Sequence, residues 1–455
     1  MAGAGDLCQA EVPLNLATLS DLKSLQETGH GSAYRPASGS APIIAVPRDF
    51  GSLRKRSFTF SRLSVAISRK LTVGYDPRIG KQTFVHDYLG HQMIDAARDL
   101  WGQIFSRAVE LPDAAIYRPE NEGYQAKRFR KALRTAGWSK EEINARREAY
   151  AQLEQPFPSS SPGVAPNLEA HAQIIADRVS AAITAKGLAH TPVLIGIDPR
   201  SGVEAGLTNV IMTDEAILTV TSFFFRWCGL IARAYTRTLF LNPNYWSSST
   251  PSADKDRLLL LRNAELTVYW NRIFISFAST GTHALVPYRP ATRRELILFE
   301  QVAWSMEYFA FAHEYGHHAL VHRNIGDDPI KQEHDADRFA MSLAEHLRSE
   351  PFQIDNPYIA TGAGAVLVLI ANDILRSIGA EDTLAPAKEA VLTHPPTPER
   401  ISRITNRHLI QPARFEFDRN FCNTVARIMA AVAGIVREFH DLGGREFINK
   451  IGSST

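Results

Sequence analysis

The chain has little of what staples, anchors or strongly charges a protein. Its 455 residues contain three cysteines, Cys8, Cys228 and Cys422. They are far apart and odd in number, which supports neither a disulfide framework nor a cysteine zinc knuckle and fits a reducing compartment. No apolar run reaches the roughly 18 residues that a membrane-spanning helix needs. The best candidates, AVLVLIA at 365–371 and IMAAVAGIV at 428–436, are soon followed by charge and read as buried core helices. The opening MAGAGDLCQAEVPLNL has neither a basic stretch nor a continuous apolar one, so no secretory leader is expected. Fifty Lys and Arg against 48 Asp and Glu leave a net charge of +2, which gives no global reason to expect nucleic acid or an anionic membrane as partner. These absences point to a cytoplasmic protein without a transmembrane segment.

What is present divides the chain. Residues 1–40, rich in Ser, Gly and Ala, read as a mobile N-terminal segment. Residues 41–155 read as an α+β region, with a β-prone stretch at 56–75 and a helical pattern from His86 to about Val109. Ser139 and Glu142 are spaced as a capping box. Residues 127–147 carry eight Lys or Arg against two Glu, which is either a solvated face or a surface for a polyanion or acidic partner. QPFPSSSPGVAP at 155–166 is the strongest linker signal, so a boundary is placed at 156–166. Beyond it come a helix from Asn167 to about Lys186 and two strands, TPVLIGI at 191–197 and NVIMTD at 209–214. Residues 215–240 are strongly apolar, and NPNYWSSSTPSAD at 242–254 reads as a surface loop.

From Asp256 onward nearly everything reads as helix. RLLLLRNAELTVYWNRIFISFAS is expected to be one helix. The next starts at Thr292 with Glu295 as its capping-box glutamate, and its apolar positions from Leu296 to Ala312 lie almost all round, which marks a central buried helix. Further helices are expected at about 330–348, 364–378 and 421–440. The fold class is mainly α with a small β component.

One stretch carries chemistry. FAHEYGHHALVHRN, residues 311–324, contains His313, Glu314 and His317 in the pattern His-Glu-x-x-His. On a helix, positions i and i+4 share a face, so both imidazoles can reach one metal ion, and Glu314 beside them can hold a water against it. A third ligand is needed. The three-histidine continuation requires Gly at 320 and His at 323, where this chain has Leu320 and Arg323. The alternative is a carboxylate from the next helix, where KQEHDADRFAMSLA offers Glu333. Asp337, one turn on, would face the same side and could fix a ligand histidine's tautomer. His318 and His322 form a second pair, rotated about 100° from the first, and read as packing or cleft residues. His334 could line the cleft, and Asp335 reads as solvated.

HEYGH followed by Glu333-His334-Asp335-Ala336-Asp337 resembles the glutamate zincins typified by the CaaX prenyl endopeptidase and its heat-shock relatives, whose second motif reads E-x-x-A-D. Thr393-His394-Pro395-Pro396-Thr397, with Arg400 beyond, is similar to their downstream HP…R segment. The resemblance covers about residues 295–405, and no family pattern is found before residue 290. It implies a zincin-like helical metallopeptidase domain at 167–455, its active-site core at 292–405, and a mixed N-terminal region. It also implies one zinc ion per chain bound by His313, His317 and Glu333, Glu314 as general base, Asp337 supporting a ligand, and His394 stabilising the oxyanion. The expected activity is zinc-dependent hydrolysis of a protein or peptide substrate. The alternative is a non-catalytic metal-binding sensor or interaction protein on the same fold. Against it stands Glu314, since a purely structural site closes all four positions with ligands.

Overall fold

A helix that is apolar on every side has to be surrounded, and this requirement organises the chain. The computed structural model describes residues 96–110, 122–145, 161, 164–188, 190–191, 193–210, 213–242, 252–320, 328–348, 355–379, 394–406 and 412–444. The architecture is mainly helical with one small sheet. The readings at 1–40, at 56–75, across most of 242–254 and at His322 lie outside the described residues.

In chain order the helices are α1 (96–108), α2 (Glu122–Thr135), α3 (140–145), α4 (Pro166–Ala185), α5 (Phe224–Leu241), α6 (Ala253–Leu261) and α7 (Ala264–Thr280). They continue with α8 (Leu296–Ala319), α9 (Pro329–Ser342), α10 (Ala344–Leu347), α11 (Pro357–Thr361), α12 (Ala363–Gly379), α13 (Thr397–Thr405) and α14 (Pro412–Asp441). The strands are β1 (Val193–Asp198), β2 (Ala205–Asn209) and β3 (Ala216–Thr221). The central strand β3 pairs in parallel with β1 and antiparallel with β2.

The core centres on α8, which packs against α4, α5, α9, α11, α12 and β2. Phe299, Val302, Trp304, Met306 and Phe311 are buried on its different sides. Its one fully buried carboxylate facing α4, Glu307, meets His171 at 2.9 Å, as a buried polar group requires. The sheet is covered by α1: a Cβ at Gly196 would fall within 2.6 Å of the Trp101 ring. The Trp101 indole donates to Ser161 Oγ, which also accepts from the Ile197 backbone N–H at 2.9 Å. Trp138 donates its indole N–H to the Ala291 carbonyl. Through these contacts the described helices of residues 96–145 share one hydrophobic cluster with the rest. No helix of the described residues is long and apolar enough to cross a membrane.

Several expectations hold locally. Ser139 and Glu142 form the reciprocal capping box, at 2.8 and 3.2 Å, and Glu295 reaches back to the Thr292 N–H at 2.8 Å. Others need correction. The 257–279 stretch is two helices, because Asn263 turns its side chain to accept from Leu266 N–H and starts a new helix there. The strand expected at 209–214 lies instead at Ala205–Asn209, with the third strand at Ala216–Thr221, where each pairs in register with its neighbour. The helix read as 330–348 is interrupted at Leu343.

At Gly364 the approach of α12 to α8 is close. An added Cβ would sit 2.5 Å from Ser305 Cβ and 2.8 Å from its carbonyl carbon. Overpacking costs about 1–3 kcal/mol, and contact with backbone puts this site at the upper end. That exceeds the roughly 1 kcal/mol that alanine gains over glycine within a helix. Gly364→Ala is therefore expected to lower the urea midpoint with an unchanged slope, and an unchanged or raised midpoint would show that α12 is free to shift.

Candidate metal centre

The site is assembled where two helices nearly touch. Gly316 lies one residue before His317 on α8, and a Cβ there would stand 3.0 Å from Ala336 Cα and 3.2 Å from Ala336 O on α9. A glycine facing an alanine lets the second helix cross closely enough for its first turns to reach the histidines. The start of α9 is fixed by Asp328, whose side chain caps the Ile330 N–H at 3.0 Å, and by Pro329 at the first helical position.

Three donors then converge. His313 Nε2 and His317 Nε2 are 3.2 Å apart. Glu333 Oε2 lies 3.4 Å from His313 Nε2, and Oε1 lies 3.3 Å from His317 Nε2. Donors held about 2.1 Å from one ion at tetrahedral angles stand about 3.4 Å apart, so the spacing suits a metal ion better than it suits direct hydrogen bonds. Glu333 Oε2 is buried and has no hydrogen-bond partner among the described residues. These three residues form a group that could hold a metal ion.

The surroundings hold the donors in place. Asp337 Oδ1 lies 2.9 Å from His313 Nδ1, which leaves the Nε2 lone pair turned towards the other donors. Asp337 is itself clamped by Arg400 of α13, with Nε to Oδ2 at 2.8 Å and Nη2 to Oδ1 at 2.6 Å. Arg400 Nη1 also stands 3.5 Å from Glu333 Oε2. The Arg400 side chain is only 8% exposed, so this is a buried charge cluster spanning three helices.

Electrostatics follow from the packing. Burial works against a charged His313, but its contacts with Asp337 and Glu333 prevail and push its pKa up to about 10. Burial would raise Glu333, but the His313 and His317 nitrogens and the Arg400 charge hold its carboxyl well below the usual range. Asp337 is likewise held down against burial by Arg400 and His313. The field that holds a proton on His313 is the field that would attract a cation.

Glu314 differs. Burial pushes its pKa up, only partly countered by His313 and His317, and its carboxylate makes no hydrogen bond with a described residue.

The remaining histidines separate as their spacing implied. His318 turns away and places Nε2 2.6 Å from Thr191 Oγ1, a packing role. His334 contacts Glu399 Oε1 at 3.0 Å, tying α9 to α13. Asp335 is partly exposed beside Arg338. His394 stands at the rim, 43% exposed, with Nε2 3.7 Å from Glu333 Oε1. The residue that sequence reasoning left without a role is Arg400. Its place after His394 in THPPTPERI was the available signal, but nothing local marks it as buried.

No family model, no curated protein and no solved structure matches the chain.

Removing one member of a buried ion pair typically costs about 3–5 kcal/mol, because the partner is left uncompensated. Arg400→Ala is expected to lose that much in chelator-stripped protein, measured by urea unfolding. A loss under about 1 kcal/mol would mean that solvent already reaches Asp337.

Proposed function

We propose that this chain is a zinc metallopeptidase of the glutamate-zincin type, hydrolysing peptide bonds in a protein or peptide substrate. The observation that carries the reading is the convergence of His313, His317 and Glu333, at the mutual distances a tetrahedral ion requires, beside an unengaged glutamate. His313, His317 and Glu333 would hold one zinc ion per chain, and Asp337, clamped by Arg400, would keep His313 in the ligating tautomer. When bound there, zinc supplies Lewis acidity and lowers the pKa of a neighbouring water towards neutrality.

The chain's own groups do the rest. Glu314 takes the proton from the water that attacks the scissile carbonyl and returns it to the leaving amine. Burial moves its pKa up towards the operating pH, which favours a group that must both accept and give a proton. His394, at the rim and partly exposed, would donate to the carbonyl oxygen as negative charge develops on it. A reducing, cytoplasmic setting agrees with the buried thiols of Cys228 and Cys422, which form no disulfide among the described residues.

Elemental analysis of purified protein is expected to give about one zinc per chain, lost in His313→Ala and Glu333→Ala. Glu314→Gln should keep the metal and lose about 10²- to 10⁴-fold in peptide cleavage, the usual contribution of general acid–base catalysis. Protein that stays metal-free after zinc loading defeats the proposal. Normal cleavage by Glu314→Gln defeats the assigned base. Comparing protein N-termini in cells expressing wild type and Glu314→Gln would identify substrates.

A further inference from the structure

Away from the metal centre, a row of exposed basic side chains runs along α2. Lys127, Arg130, Lys131 and Arg134 recur at i, i+3, i+4 and i+7 and therefore share one helix face. All four are exposed, and none forms an ion pair with a described residue. Two long-range contacts bring a second basic stretch beside them. Trp138 donates to Ala291 O at 3.0 Å, and Arg293 Nη2 pairs with Glu142 Oε1 at 2.9 Å. The helical hairpin α2–α3 is thereby pinned to the turn that begins α8, which adds exposed Arg293 and Arg294, with Lys140 on the hairpin itself.

We propose that this basic surface docks an acidic segment of the protein substrate, at a distance from the bond that is cut. The proposal rests on the peptidase reading for its purpose, though the binding it describes needs no metal.

The chemistry of the surface selects an acidic peptide among polyanions. The apolar side of the hairpin is already spent on the core, through buried Leu133, Trp138 and Ile143. Among the side chains described in α2, α3 and the turn before α8, none is a large exposed hydrophobic one, so the described part of the surface has no group that would insert into a membrane or stack on bases. The α2 row runs over seven helical steps, about 10 Å of helix. It matches an extended peptide, whose carboxylates at alternate positions lie about 7 Å apart, against cations one helical turn apart.

Leu296 and His313 lie at the start and in the last third of α8, seventeen positions apart, a rise of about 25 Å. The turn that carries Arg293 and Arg294 therefore stands well away from the candidate metal centre along α8.

The test is fluorescence anisotropy of a labelled oligoglutamate peptide titrated with full-length protein, with and without prior chelation. The expected result is saturable binding that weakens with salt and survives chelation. Affinity should fall about ten-fold or more when Lys127, Arg130, Lys131 and Arg134 are all changed to Glu. The fourfold change to Gln, expected to lose less, keeps the comparison open if the reversed variant fails to fold. No saturable binding at low salt, equal affinity in the charge-reversed variant, or tighter binding to duplex DNA or phosphatidylserine vesicles would each overturn the proposal. If wild-type protein takes up no zinc on loading yet binds the peptide, the peptidase reading falls and the basic docking surface stands.

Discussion

The crossing of α8 and α9 at Gly316 decides where every charged group of the site ends up. A side chain at that position would meet Ala336 backbone at 3.0–3.2 Å, and the second helix would have to give way. Glu333 lies one turn before Ala336 and Asp337 directly after it, so any retreat of α9 carries both carboxylates away from the histidines. Glycine is a poor helix former, by about 1 kcal/mol relative to alanine. Here it sits close to the C-terminus of α8, where the helix is followed by a turn. The close approach is thus obtained at low cost to α8.

Bringing the carboxylates in creates a second problem, which Arg400 answers. Two acids and a charged imidazole in a place sheltered from water would be costly to bury unpaired. The bidentate guanidinium on Asp337, with a further contact to Glu333, supplies the balancing charge. It also fixes α13 against α9, and Glu399, next to Arg400, adds its contact with His334. Because α13 carries Thr397 hydrogen-bonded to Asp373 of α12, and α12 packs on α8, the charge cluster closes a ring of helices around the site.

This explains which parts were legible in the sequence. His313 and His317 share a helix face by periodicity, and Glu333 with Asp337 share one on the next helix, so counting turns within about 25 residues anticipates the convergence of His313, His317 and Glu333 and the contact of Asp337 with His313. The central helix was legible because its apolar residues occur on all sides, and the capping box at Ser139 and Glu142 because its rule is local. The helix break at Asn263 was not, since an asparagine side chain can either point outward or cap, and only the packing of α7 decides. The strand read at 209–214 failed because short strands are defined by their partner, and β3 dictates where β2 pairs. Arg400 was hidden for the same reason. Its burial is imposed by Asp337, 63 positions away. Ser161 belongs with it: a Pro- and Ser-rich stretch reads as linker, yet this hydroxyl is buried and holds the Ile197 N–H.

The position of the histidines on α8 has its own physical logic. His317 falls in the last turn of the helix, where unpaired backbone carbonyls and the negative end of the macrodipole favour a cation, by about 0.3–1 kcal/mol at an exposed site and more where water is thinned out. His313, one turn back, is more deeply buried and gains less from the helix end, so it draws its support from Asp337 instead. The two ligand positions are therefore electrostatically unequal. The outer one leans on its own helix, and the inner one leans on α9 and, through Arg400, on α13. Glu314, between them in sequence but about 100° round the helix from His313, receives neither support, and its carboxylate makes no hydrogen bond with a described residue. In the proposed mechanism that asymmetry separates holding an ion, the task given to His313, His317 and Glu333, from handling a proton, the task given to Glu314.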